Sequence, residues 1–68
     1  MTREQFLRRL RRYCRKHGLA LSVEKSRGKG SHMTIEVADR RTIVKDGELS
    51  PVYIKLVVRQ LHLPEDAV

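Results

Sequence analysis

A helix is predicted near the start of the chain by apolar residues that recur with a period of about 3.6 residues. The apolar face of this segment comprises Phe6, Leu7, Leu10, Tyr13, Cys14 and His17. Arg8, Arg12 and Arg15 fall on the opposite face. Thr2 with Gln5 three residues later has the pattern of a capping box, and Gly18 is a typical helix terminator.

Strands are predicted after this helix, because apolar and polar residues then alternate with a period of two. The three segments are Leu19–Glu24, Ser31–Val37 and Arg41–Val44. In the middle segment the apolar residues Met33, Ile35 and Val37 share one face, so His32 is expected to point to the other. Residues 38–40 are expected to form the turn between the second and third strands.

The last helix is predicted to begin with Ser50 as its N-cap and Pro51 at its first position. It is expected to continue through Leu63 and to end at Pro64, which leaves residues 65–68 as a frayed tail. The predicted fold is one α+β domain over residues 1–68, with the order α-β-β-β-α. Its three antiparallel strands would be covered on one face by two helices.

The last helix is apolar on two sides. Ile54, Val57, Val58 and Leu61 are assigned to the core. A second cluster, on the opposite side, comprises Val52, Leu56 and Leu63 with Arg59 beside them. A small domain has no further layer to cover that side, so a partner protein is expected to bind there; surface aliphatic residues without a partner are the alternative.

Charge favours a polyanionic partner. The chain has 15 Lys and Arg against 8 Asp and Glu. Residues 1–31 hold 10 basic and 2 acidic side chains, whereas residues 32–68 hold 5 and 6. Nucleic acid is therefore favoured over a membrane surface. The single cysteine permits no internal disulfide and, with no apolar run of transmembrane length, favours a cytoplasmic protein. Acidic residues lack paired ligand spacing, so no metal or other cofactor is expected.

His32 is the candidate catalytic residue because it follows a basic, glycine-containing run. An imidazole can transfer a proton near neutral pH, and RNA carries its own nucleophile in the 2′-OH beside each phosphate. The run supplies the expected phosphate ligands Lys25, Arg27, Lys29, Gly30 and Ser31. Arg8, Arg12 and Arg15 are expected to contact further RNA phosphates. The alternative for His32 is an ordinary exposed strand histidine.

The chain resembles the HicA family of mRNA-interferase toxins. The resemblance covers residues 2–63 and lies in the overall pattern, in Lys29-Gly30-Ser31-His32 at the middle strand and in Val58-Arg59-Gln60-Leu61 near the end of the last helix. It implies a fold similar to the double-stranded-RNA-binding domain, a ribonuclease dependent on His32 and neutralisation by a HicB-like antitoxin. Family members often carry a second histidine where this chain has Met33.

Two other functions fit the same residues. A non-catalytic RNA-binding module of this architecture would use the arginine face and the basic run to grip duplex RNA by its shape. An interaction adaptor would use the second apolar side of the last helix, but this function leaves the positive charge unexplained. A histidine beside a phosphate-binding run favours the ribonuclease.

Overall fold

The computed structural model describes residues 1–25 and 32–68, which form a two-layer α+β fold in the predicted order. The elements are α1 (Arg3–His17), β1 (Leu21–Lys25), β2 (His32–Val37), β3 (Arg40–Lys45), α2 (Pro51–Gln60) and a terminal 3₁₀ helix (Glu65–Ala67). Among the described residues, neither α1 nor α2 has the length and apolar character needed to cross a membrane. The predicted fold class is confirmed.

The sheet has the order β1-β2-β3, with both neighbouring pairs antiparallel. In the central strand Met33, Ile35 and Val37 are buried under the helices, as their alternation predicted. β1 begins at Leu21 rather than at Leu19. The reason is local: the Leu19 N–H donates to the Cys14 carbonyl at 2.8 Å and so closes the end of α1.

The ends of α1 form as the sequence predicted. The Thr2 hydroxyl accepts from the Gln5 N–H at 3.2 Å, and the Gln5 side chain accepts from the Thr2 N–H at 2.9 Å. Gly18 adopts the left-handed conformation, with φ 66°, that a glycine C-cap supplies without steric cost. His17 lies on the same side of α1 as Tyr13, with the two ring centres 4.2 Å apart, but it is exposed at the end of the helix.

The end of α2 differs from the prediction. The Ser50 hydroxyl caps the helix by accepting from the Tyr53 N–H at 3.1 Å. The helix nevertheless ends at Gln60, because His62 takes a positive φ of 58° that turns the chain out of the helix. Leu63 therefore lies beyond α2, half-buried and packed against the core. Its assignment to the outer side of the last helix was wrong.

The prediction that residues 65–68 form a frayed tail was also wrong. Glu65–Ala67 forms a 3₁₀ turn in which the Ala67 N–H donates to the Pro64 carbonyl at 3.0 Å. Ala67 is buried, and Val68 packs against the core beside it. A domain of this size needs all the apolar area it can bury, and these two side chains add to that area.

One apolar cluster lies between the helices and the sheet. Every buried side chain in the described ranges is apolar, and those fully enclosed include Phe6, Leu10, Ile35, Val44 and Leu49. Burial also raises the pKa of the Cys14 thiol, which disfavours the reactive thiolate. The cysteine is a small core side chain, as its place on the apolar face predicted.

Candidate functional site

His32 is the first residue of β2, and its side chain is exposed. Since Met33 faces the helices, the pleat turns His32 to the open face of the sheet, which neither α1 nor α2 covers. Ser22, Glu24, Thr34, Glu36, Arg41 and Ile43 line a concave surface of about 270 Å³ on the same face. The imidazole is therefore accessible from the open face.

Within the described residues, the strand register gives His32 two neighbours that bear titratable groups. Lys45 on β3 is its direct cross-strand partner, and Glu24 on β1 pairs with Thr34, one diagonal position away. Direct antiparallel partners have Cβ atoms about 4.5–5.5 Å apart, and diagonal partners about 7–8 Å. Sequence reasoning missed both residues, because pairing register cannot be read from alternation alone.

Tyr53 on α2 holds the end of β3 in place. Its hydroxyl accepts from the Lys45 N–H at 3.1 Å, and the Lys45 ammonium lies 5.1 Å from the centre of its ring. A cation at this distance from an aromatic face is attracted by the ring. The contact fixes the positive charge at the edge of β3, beside the strand end that carries His32.

Two acidic side chains near this end of the sheet, Asp46 and Glu48, are paired with cations. The Arg3 guanidinium lies 3.4 Å from the Asp46 carboxylate, and the amine of Met1 lies 2.7 Å from the Glu48 carboxylate. Both acids belong to the segment that joins β3 to α2. The carboxylate of each pair is exposed, so the pairs contribute little stability, but they offset the negative charge of the segment that follows Lys45. Lys45 can therefore attract an anion to this end of the sheet.

The predicted phosphate ligands of the basic run are only partly described. Lys25 ends β1 opposite Met33, so its Cβ points to the helix-covered face, away from His32. The structure does not place Lys25 beside the imidazole on the open face. Arg27, Lys29, Gly30 and Ser31 lie outside the described residues.

The predicted arginine face is exposed but lies far from His32. Arg8, Arg12 and Arg15 project from the side of α1 opposite its buried residues. Gln5, Arg8, Arg9 and Arg12 line a groove of about 290 Å³ there. Since α1 covers the inner face of the sheet, this groove and the His32 side chain are on opposite sides of the molecule. The arginine groove is thus a cationic surface separate from the His32 side chain.

The predicted partner surface of α2 is smaller than expected. Val52 and Leu56 are 78% and 50% exposed, and Arg59 is exposed beside them. Leu63 is not part of this surface because it packs against the core. Ile43, which is 55% exposed on β3, is a large apolar side chain that the sequence analysis did not select.

The described residues contain no group of three or more His, Cys, Asp and Glu side chains arranged to hold a metal ion. Comparison of the chain with protein-family models, curated proteins and solved structures finds no match.

Proposed function

We propose that the chain is an endoribonuclease toxin of the kind it resembles, HicA, and that it cleaves mRNA in the cytoplasm by acid–base catalysis on His32. A HicB-like antitoxin would neutralise it. The observation that carries the proposal is the exposed His32 imidazole at a strand end, on the open face and opposite Lys45. That position suits a group that must reach a phosphodiester and exchange a proton with it.

The proposed reaction uses the nucleophile of the substrate itself. The 2′-oxygen loses its proton and attacks the adjacent phosphorus, while the bond from phosphorus to the 5′-oxygen breaks and that oxygen gains a proton. The products are a 2′,3′-cyclic phosphate and a free 5′-OH. His32 performs one of the two proton transfers, and Glu24, on the same face, is the nearest carboxylate by register for the other. Lys45 and Lys29 stabilise the phosphorane charge.

Cleavage of an RNA strand is expected to persist in excess EDTA, while a DNA strand of the same sequence stays intact. The reason is that the attacking group is the ribose hydroxyl, which DNA lacks. Gel analysis of both end-labelled strands measures this outcome. Loss of RNA cleavage on chelation, or equal cutting of the DNA strand, would instead indicate attack by a metal-activated water.

A second candidate function is binding of RNA without cleavage. The exposed arginine groove of α1 favours it, because these cations lie on the side of the molecule away from His32 and suit contacts to phosphates. This function predicts salt-dependent retention of intact RNA, with no shorter products after prolonged incubation. The EDTA assay on wild-type protein distinguishes the two functions directly.

Leu56→Asp is expected to leave the fold intact, whereas Leu63→Asp should destabilise it. Leu56 is half-exposed on the outer side of α2, so its replacement should change the free energy of unfolding by no more than about 0.5 kcal/mol. Leu63 packs against the core, where a carboxylate should cost about 1–3 kcal/mol. Urea denaturation of the two variants measures the difference. Equal destabilisation by both variants would contradict the assignment of Leu56 to the surface and of Leu63 to the core.

The same Leu56→Asp variant tests the antitoxin surface. If the antitoxin covers Val52 and Leu56, its affinity should fall by about 2 kcal/mol or more, which is roughly 30-fold. RNA cleavage by the free variant should persist, since Leu56 lies on α2 and away from the open face of the sheet. Unchanged antitoxin affinity would place the antitoxin on another surface.

A further inference from the structure

β3 presents an open row of backbone hydrogen-bonding groups at the edge of the sheet. The Lys45 N–H donates to the Tyr53 hydroxyl at 3.1 Å, which shows that it points away from β2. Backbone groups of alternate residues in a strand point the same way. The N–H and C=O of Ile43 and Arg41 therefore also face outward, where no strand of the described sheet pairs with them.

Two exposed apolar side chains flank this edge. Ile43 is 55% exposed and lies on the open face, where it pairs with Thr34. Leu56 is 50% exposed on α2 and lies between Tyr53 and Gln60, the two helix residues that bond to β3. A cleft of about 760 Å³ also runs from β3 to Gln60. An added strand would place alternate side chains near Ile43 on one face and near Leu56 on the other.

The charges beside the free edge of β3 determine which kind of added strand can bind there. The two elements that border the edge carry five cations and no acid, namely Arg40, Arg41, Lys45, Lys55 and Arg59. Arg40 and Arg41 each have one acidic neighbour, at 3.5 and 3.1 Å. A second copy of this chain paired through β3 would bring these cations together, which disfavours self-association. An acidic segment would be attracted to them.

From these observations we propose that the free edge of β3 binds an extended acidic segment of a partner protein, which adds to the sheet as a fourth strand. Main-chain hydrogen bonds to Arg41 and Ile43 provide the pairing. Apolar contacts with Ile43 and Leu56, together with the surrounding cations, select a segment that alternates acidic and apolar residues. This inference does not depend on ribonuclease activity.

The test uses a short blocked peptide that alternates glutamate and valine, with a lysine–valine peptide as the control. Binding of the acidic peptide to the full chain should slow amide exchange at Ile43 and Arg41, measured by NMR. Ile43→Pro removes an outward N–H without removing a bond to β2, so it should weaken binding by about 10-fold or more. Ile43→Thr, which keeps the N–H, should bind more tightly than the proline variant.

Three results would overturn the proposal. The first is equal binding of the lysine peptide, which would exclude selection by charge. The second is unchanged amide exchange at Ile43 and Arg41 in wild-type protein with excess acidic peptide, a readout that does not require any variant to fold. The third is a concentration-dependent dimer that Ile43→Pro abolishes, since this would assign the edge to a second copy of the chain.

Discussion

Replacement of His32 by alanine is expected to lower the rate of RNA cleavage by about 10²–10⁴-fold, the usual contribution of one proton-transfer group. The melting temperature should change little, because the side chain is exposed at a strand end and lies outside the apolar core. Single-turnover cleavage of a labelled RNA, together with a thermal melt of the same sample, measures both quantities.

The other two histidines provide matched controls. His17 is exposed and stacks with Tyr13 on α1, and His62 lies in an exposed turn after α2. His17→Ala and His62→Ala should therefore retain cleavage. Full activity of His32→Ala at an unchanged melting temperature would remove His32 from the reaction and would assign the proton transfer to another group.

Phe6→Ala is expected to unfold most of the protein at room temperature. Phe6 is fully buried between α1 and the sheet, and removal of a buried phenyl ring typically costs about 3–5 kcal/mol. A core in a domain of this size rarely supplies more than about 3–5 kcal/mol in total, so the loss is comparable with the whole stability. Circular dichroism over a urea titration measures the free energy of unfolding.

Val52→Ala is the control for Phe6→Ala, since Val52 is 78% exposed on α2. Its free energy of unfolding should stay within about 0.5 kcal/mol of the wild-type value. A stable, cooperatively folded Phe6→Ala protein would contradict the assignment of Phe6 to the centre of the core. A large loss in Val52→Ala would contradict the assignment of Val52 to the exposed side of α2.

The sequence predicted those parts of the fold that depend on local chemistry. The Thr2–Gln5 capping box, the Gly18 terminator and the Ser50-Pro51 helix start all formed, because each needs only near neighbours in the chain. The buried face of β2 was predictable for the same reason, since the alternation of apolar and polar residues involves only neighbouring positions in the chain. Leu63 and the tail that holds Ala67 were not predictable in this way, since both depend on packing against distant elements.

The sequence predicted which face of the sheet carries His32, but it did not predict which residues of the neighbouring strands lie beside it. A turn of residues 38–40 was expected, but the turn contains only residues 38–39, and β3 starts at Arg40. One residue more or less in a hairpin turn changes which cross-strand residues meet. The pairing of His32 with Lys45 therefore became known only from the strand register of the structure. The same holds for the position of Lys25 on the helix-covered face of the sheet.

The central claim is that His32 assists attack by a ribose 2′-OH of the substrate. Its most direct test is cleavage of a defined RNA strand and of the same strand with a single 2′-deoxy residue at the mapped cleavage site, followed by mass analysis of the products. The proposed mechanism predicts a 2′,3′-cyclic phosphate from the RNA, no cut at the deoxy position and product formation slower by about 100-fold or more with His32→Ala. Cleavage at the deoxy position, or products that never pass through a cyclic phosphate, would contradict it.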